Sequence, residues 1–254
     1  MRGLAALLLV LCAAAMPTMA QAQSAPPRLV LDVSQRTVDI QSGFTGQQLL
    51  LFGAILYPGG RAPDGQYDMV VEVEGPLRAI TVREKQRVAG IWVNADSRDF
   101  RSVPGYYGVA STRPLEKMLD RKNAFIYQIG LDNLAFSPIG AIDRDFGRFQ
   151  SGLTDLKERQ GLYRESPGQV EITEKVLYRA RIDLPASVPV GQYKTRAYLV
   201  KDGRVVASAT GRIRIGKTGF ERGVELAAQN YGILYGLLAV FISLALGWVA
   251  GWAF

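Results

Sequence analysis

The chain has 254 residues, thirty Lys and Arg against 23 Asp and Glu for a formal charge of +7, one cysteine and no histidine. Without histidine, and with Cys12 inside an apolar N-terminal run, it lacks the side chains for disulfides, c-type haem attachment, Cys or Ser-His nucleophilic dyads and nearly all zinc sites. Arg outnumbers Lys by 22 to 8 with the charges scattered, which reads as a solvated mixed surface rather than a dedicated anion site, and no basic run with interleaved aromatics points to nucleic acid.

The N-terminus reads Met1-Arg2-Gly3, an apolar run from Leu4 to Met16, then Ala20-Gln21-Ala22. A short basic region, an apolar stretch and an A-x-A site, in that order, predict a secretory signal peptide over residues 1–22. Leu11 precedes Cys12 where a lipoprotein signal wants a small residue.

Residues 23–112 read as a β region. Leu29 to Val33, Thr37 to Ile40, Gln47 to Leu56, Asp68 to Glu74, Ala79 to Arg83 and Val88 to Val93 alternate or run apolar. Ser42-Gly43, Pro58-Gly59-Gly60, Asp64-Gly65 and Gly75-Pro76 separate them. Short strands at this spacing predict a mainly β fold with an antiparallel, immunoglobulin-like β-sandwich body, in architecture alone because the cysteine pair is missing.

The pattern changes over 113–167, read as a two-helix insert. Pro114 suits a first helical turn, and Leu115, Met118, Leu119, Phe125, Ile126 and Ile129 fall on one side at helical spacing. A second helix is predicted from about Asp143 to Gln160, with Phe146, Phe149, Leu153 and Leu156 as its stripe and Asp143 and Asp145 at its start. Strands return over 168–218: Val176 to Leu184, Gln192 to Val200 and Val205 to Ile215, the last two joined by the hairpin signal Asp202-Gly203. This block either forms a second lobe or completes the first sandwich across the insert.

Residues 219–230 form a juxtamembrane segment of helical composition that either runs on rigidly or breaks at Gly219 or Gly223. Tyr231 to Phe254 then holds 24 residues without a charge, enough at about 1.5 Å of rise per residue to cross a bilayer core of about 30 Å, and predicts one C-terminal transmembrane helix. Gly232, Gly236, Ala239, Ser243, Gly247 and Gly251 recur at steps of three and four. Such a small-residue stripe lets two backbones approach where lipid offers little hydrophobic drive, which marks a helix–helix interface with a membrane-protein partner or a second copy. Tyr231 and Tyr235 at one end, with Trp248 and Trp252 at the other, fit membrane-interface belts.

Orientation rests on two opposed signals. Arg212, Arg214, Lys217 and Arg222 precede the span and no basic residue follows it, which runs against the positive-inside tendency. The signal peptide prevails, because large domains translocate largely regardless of charge. The expectation is a single-pass inner-membrane protein with its body in the periplasm and its C-terminus at the cytoplasmic face.

Candidates for chemistry are few. Asn94, Asp96 and Asp99, or Asp143 with Asp145, match no metal-loop spacing and read as turn and helix-start residues. Gly43-Phe44-Thr45-Gly46 lacks the Lys-Ser/Thr of a phosphate loop. Trp92, Phe100, Tyr106 and Tyr107 read as core and loop packing rather than a ligand surface. No catalytic, cofactor-binding or metal residue is assigned, and the chain is not read as an enzyme.

Gly90-Ile91-Trp92-Val93-Asn94, Val103-Pro104-Gly105-Tyr106-Tyr107, Ser111-Thr112-Arg113-Pro114-Leu115 and Leu234-Tyr235-Gly236 leading to Gly247-Trp248 together resemble the alphaproteobacterial putative transmembrane protein family. The resemblance covers essentially the whole chain after the leader and brings no catalytic or binding residues with it. Family members are often encoded beside permeases resembling the sulfite exporter (TauE/SafE) type. That implies an accessory role next to a transporter of sulfite or organosulfonates. The alternative class is a periplasmic small-anion-binding module or enzyme using Arg and carboxylate groups.

Overall fold

The computed structural model describes residues 26–40, 44–140, 145–217, 224 and 228–253. The predicted signal peptide, the Ser42-Gly43 turn, Asp143, most of the juxtamembrane segment and Phe254 lie outside them. The described chain is mainly β. The first half supplies β1 (Arg28–Val33), β2 (Thr37–Ile40), β3 (Gly46–Leu56), β4 (Asp68–Glu74), β5 (Leu77–Val88), β6 (Ile91–Pro104) and β7 (Tyr107–Ser111). After α1 (Arg121–Tyr127) come β8 (Ser137–Pro138), α2 (Phe146–Arg159) and β9 (Tyr163–Pro167). Then follow β10 (Val170–Thr173), β11 (Leu177–Pro185), β12 (Gly191–Lys201), β13 (Arg204–Lys217) and α3 (Gly232–Ala253).

The strands form a four-stranded sheet in the order β1-β3-β11-β10, a six-stranded sheet β2-β13-β12-β4-β7-β9 and a three-stranded sheet β5-β6-β8. β11 pairs with β3 from Leu177 opposite Ala54 to Pro185 opposite Gly46, and β12 pairs with β4 from Lys194 opposite Glu74 to Val200 opposite Asp68. The late strands therefore complete sheets that the early strands begin. β2 runs parallel to β13, and the hydroxyl of Tyr193, near the start of β12, donates back to the Pro189 carbonyl.

Period-two alternation buries one face of β3 and β11, through Leu49, Leu51 and Ile55, and Ala180, Ile182 and Leu184. These join Val71 and Val73 of β4 and Ala197 and Leu199 of β12 in a single core. β4 differs: from Asp68 to Val73 both of its faces are buried. The insert is the reason, because it lies over the outer face of the six-stranded sheet, where Tyr127 of α1 stacks edge-on to Tyr198 of β12 and the Leu131 amide donates to Glu165 of β9.

Three expectations change. The first predicted helix is broken into a 3-10 turn, Leu115–Lys117, and the seven-residue α1, because Leu119 bridges Gly203 and Asp120 donates its amide to the Gly203 carbonyl at 3.0 Å. Tertiary pairing with the β12–β13 turn overrides the helical periodicity. The insert also holds strands, since β9 pairs in parallel with β7. Finally, the two short strands expected at 79–83 and 88–93 are arms of one long ribbon, β5–β6, reversing at Ala89-Gly90 with φ of 49° and 88°. Positive φ at both central residues is the two-residue turn whose twist matches a hairpin.

Candidate functional site

α3 is 22 residues long, about 33 Å at helical rise, and Gly232–Trp252 has a mean hydropathy of 2.3. It is one helix, among the described residues, long and apolar enough to cross a membrane. Its side chains are exposed from Gly232 to Trp252, and a Cβ added at Gly232, Gly236, Gly247 or Gly251 would meet nothing within 4 Å. The Ser243 hydroxyl donates to the Ala239 carbonyl at 2.9 Å, so the one polar side chain of the stripe is satisfied within the helix. At about 100° per residue, Gly232, Gly236, Ala239, Ser243 and Gly247 fall within about 80° of helix circumference, and Gly251 lies about 40° further on. Tyr231 sits just before the helix and Tyr235 in its first turn, while Trp248 and Trp252 lie in its last two turns.

The body places its sequence candidates apart. Asp96 and Asp99, expected at turns, are both in β6: Asp96 faces Arg148 of α2 at 3.4 Å, and Asp99 accepts from the Thr81 hydroxyl across the ribbon. Asn94 stands near the ribbon tip opposite Lys85. Asp145 occupies the N-cap position of α2 and pairs with Arg148. Among the described residues no group of three His, Cys, Asp or Glu side chains is placed to hold a metal ion. Of the aromatic group, Phe100, Tyr106 and Tyr107 are buried, but Trp92 is 66% exposed, so the packing expectation fails there.

A polar cluster that sequence reasoning missed lies under the insert. Glu72 on β4 is fully buried; it accepts from the Tyr107 hydroxyl at 2.5 Å and from Arg196 Nε at 3.1 Å, while the other arm of Arg196 reaches Glu74 at 2.8 Å. The Tyr107 oxygen accepts from the Gly130 amide at 3.2 Å, which ties the cluster to the insert. Burial pushes the Glu72 carboxyl up to about 7, against the opposing pull of Arg196 and the Tyr107 hydrogen bond. Burial beside Glu72 also holds the Tyr107 hydroxyl well above its ordinary value, so it remains a neutral donor. The signal was a glutamate inside an apolar run, Val70-Val71-Glu72-Val73. Every oxygen of this carboxylate is occupied, so the cluster works as a closed rivet between sheet and insert.

Beside it a hollow of ≈ 640 Å³ opens against α1, with Glu116, Asp132 and Glu165 facing Arg121. Burial raises the Glu165 carboxyl, opposed by the hydrogen bond from the Leu131 amide. Three carboxylates against one guanidinium make this a poor seat for sulfite, sulfate or a sulfonate.

A family profile described as "Putative transmembrane protein (Alph_Pro_TM)" matches residues 28–254, and the chain belongs to that family. No protein of curated function matches it. Two solved structures are similar at low level: Spo0M, a sporulation control protein from Bacillus subtilis, with 9% identity and a TM-score of 0.28, and the B domain of a biofilm associated protein, with 10% and 0.27. They cover 82% and 80% of this chain, while this chain spans 56% and 40% of theirs. At such TM-scores the likeness carries no argument.

Proposed function

We propose that this single-pass member of the family is an accessory protein, which holds a β-rich body on the periplasmic side of the inner membrane while α3 packs against a helix of a membrane-protein partner. The observation that carries the reading is the open stripe of α3. Four glycines present bare backbone, the serine hydroxyl is already bonded inward, and in lipid such a surface gains most from close helix contact. A signal-like leader over 1–22 supports the periplasmic side, with the C-terminus at the cytoplasmic face. The body reads as an immunoglobulin-like sandwich: β1-β3-β11-β10 and β13-β12-β4-β7 follow the order of such folds, and the Tyr193 bond to Pro189 resembles their tyrosine corner.

An interaction role fits the body better than anion binding or catalysis, because its buried carboxylate is fully bonded and the hollow beside α1 is acidic. The partner class implied by the family resemblance is a TauE/SafE-type permease. Photoreactive residues at Ala239 and Ser243, activated in native membranes, test the reading directly. A heterologous adduct that Gly236→Leu or Gly247→Leu abolishes is the expected result, and mass spectrometry of the adduct identifies the permease or another partner. An adduct of twice the mass would replace the accessory role with self-association, and no adduct at either position would leave α3 a plain anchor.

A further inference from the structure

The β5–β6 ribbon leaves the body at one particular end. Glu74 lies opposite Lys194, Lys194 opposite Arg212, and Gly191 opposite Ile215, so β4 and β13 finish at the same end of the six-stranded sheet. β5 begins just past Glu74, and the ribbon returns through Gly105, whose amide donates to the Pro76 carbonyl at 2.9 Å. A Cβ on Gly191 would strike Pro76 at 2.9 Å, which fixes the ribbon root against the start of β12. The root therefore stands where β13 hands the chain on toward α3. The fifteen residue steps from Lys217 to Gly232 span at most about 50 Å, and the twelve residues of β5 reach about 40 Å. These lengths are comparable, so the tether allows the ribbon tip to reach the bilayer that α3 crosses.

The ribbon is supported only part of the way. Arg148 of α2 braces it at Glu84, 3.1 Å away, and at Asp96. From Lys85 to Ala95 every residue is exposed, on both faces. The cross-strand register sorts these residues. Val88 opposite Ile91 and Gln86 opposite Val93 share one face, and Arg87 opposite Trp92 and Lys85 opposite Asn94 share the other. One face is thus largely apolar, the other carries an indole and two cations, and the whole stretch contains no acid. A bare two-stranded ribbon is marginal in water. Aromatic residues sit well at the headgroup level, Lys and Arg are drawn to an anionic leaflet, and an amphipathic element buries its apolar face just below the headgroups.

We propose that the tip of the β5–β6 ribbon is a second membrane contact, which seats Val88, Ile91 and Val93 in the anionic lipid face beside α3, with Trp92 at the headgroups and Lys85 and Arg87 on lipid phosphates. The contact rests on anchoring by α3 and is independent of whether α3 has a helical partner. Full-length protein carrying Trp248→Phe and Trp252→Phe leaves Trp92 as its one indole, and is reconstituted at one copy per nanodisc with brominated phospholipid. In phosphatidylglycerol-containing discs Trp92 emission shifts to the blue and is quenched about twofold by bromines near the headgroup, less so in phosphatidylcholine alone, and Ile91→Glu removes the effect. Emission of a fully solvated indole, unchanged by brominated lipid, overturns the proposal. Shielding from aqueous iodide without quenching by lipid bromines also overturns it, because the cover is then protein. Loss of the α3 adduct leaves the Trp92 signal unchanged, so the two readings fail separately.

Discussion

The outer face of the six-stranded sheet and the distal half of the β5–β6 ribbon are built from the same materials, strands carrying arginine, aromatic and β-branched side chains, and they finish in opposite ways. Under the insert, Glu72 and Tyr107 are buried, with both oxygens of the carboxylate bonded and Arg196 reaching in from a half-buried position. On the ribbon, Arg87 and Trp92 stand side by side in solvent. The strands do not differ in kind; the cover does. A buried ion pair holds a fold only when every partner is in place, whereas a bare ribbon is free to exchange its solvent for another surface.

The sharpest way to break the contrast is to remove one partner of the rivet. Arg196→Ala removes the cation that opposes burial, so Glu72 stays protonated at neutral pH, and the loss of the charged hydrogen bonds from Arg196 to Glu72 and Glu74 is expected to cost about 3 kcal/mol. Urea unfolding of the full chain in micelles, followed by near-ultraviolet dichroism, measures it. A midpoint unchanged from the parent would show that the cluster is decoration.

Protonation gives a subtler handle on the same site. The Glu72 carboxyl titrates near 7 in the folded chain against 4.5 when free, so the folded state holds its proton more tightly. The resulting stabilisation is complete below about pH 4.5 and is lost as pH rises to about 7, a change of up to about 3 kcal/mol. Glu72→Gln, which keeps the shape and cannot ionise, is expected to flatten that part of the stability profile relative to the parent. A parallel pair of profiles would place the titration elsewhere.

At the ribbon the expected effect is the smallest. Ile91→Ser is predicted to shift the unfolding midpoint by no more than the equivalent of about 0.5 kcal/mol, because no neighbouring side chain in the body covers it. A larger loss would mean that the tip is packed in the native protein, and would erase the difference between the two regions.

The C-terminal helix was legible from length, charge and spacing, since a run of apolar residues has few alternative fates. β11, β12 and β13 were legible because turn residues bounded alternating runs, and Asp202-Gly203 forms the two-residue turn with φ of 49° and 78°. The ribbon was only half legible. Arg83 to Arg87 interrupts the apolar alternation, and Ala89-Gly90 is a weaker turn signal than Asn-Gly, so one hairpin read as two separate strands. The first insert helix misled for a different reason: its periodicity is real, but Leu119 pairs with Gly203 at the end of the β12–β13 hairpin and Met118 is buried beside Thr112, which breaks the run before α1. The Glu72 cluster needed the fold itself, because Arg196 is 124 residues away in sequence.

That separation bears on how the protein is made. The central strands β4 and β12, and likewise β3 and β11, are held apart in sequence by the whole ribbon and insert, and loop closure of this size slows folding. The four-stranded sheet is incomplete until β11 has been synthesised and the six-stranded sheet until β12 and β13 have, and α3 is the next element behind them. The body thus finishes folding shortly before its membrane segment is made, and until their partners arrive β3 waits for β11 and β4 for β12, each with an unpaired edge. For a protein of this topology, assembly and insertion are nearly simultaneous, and the interval before β12 arrives is when a chaperone has most to protect.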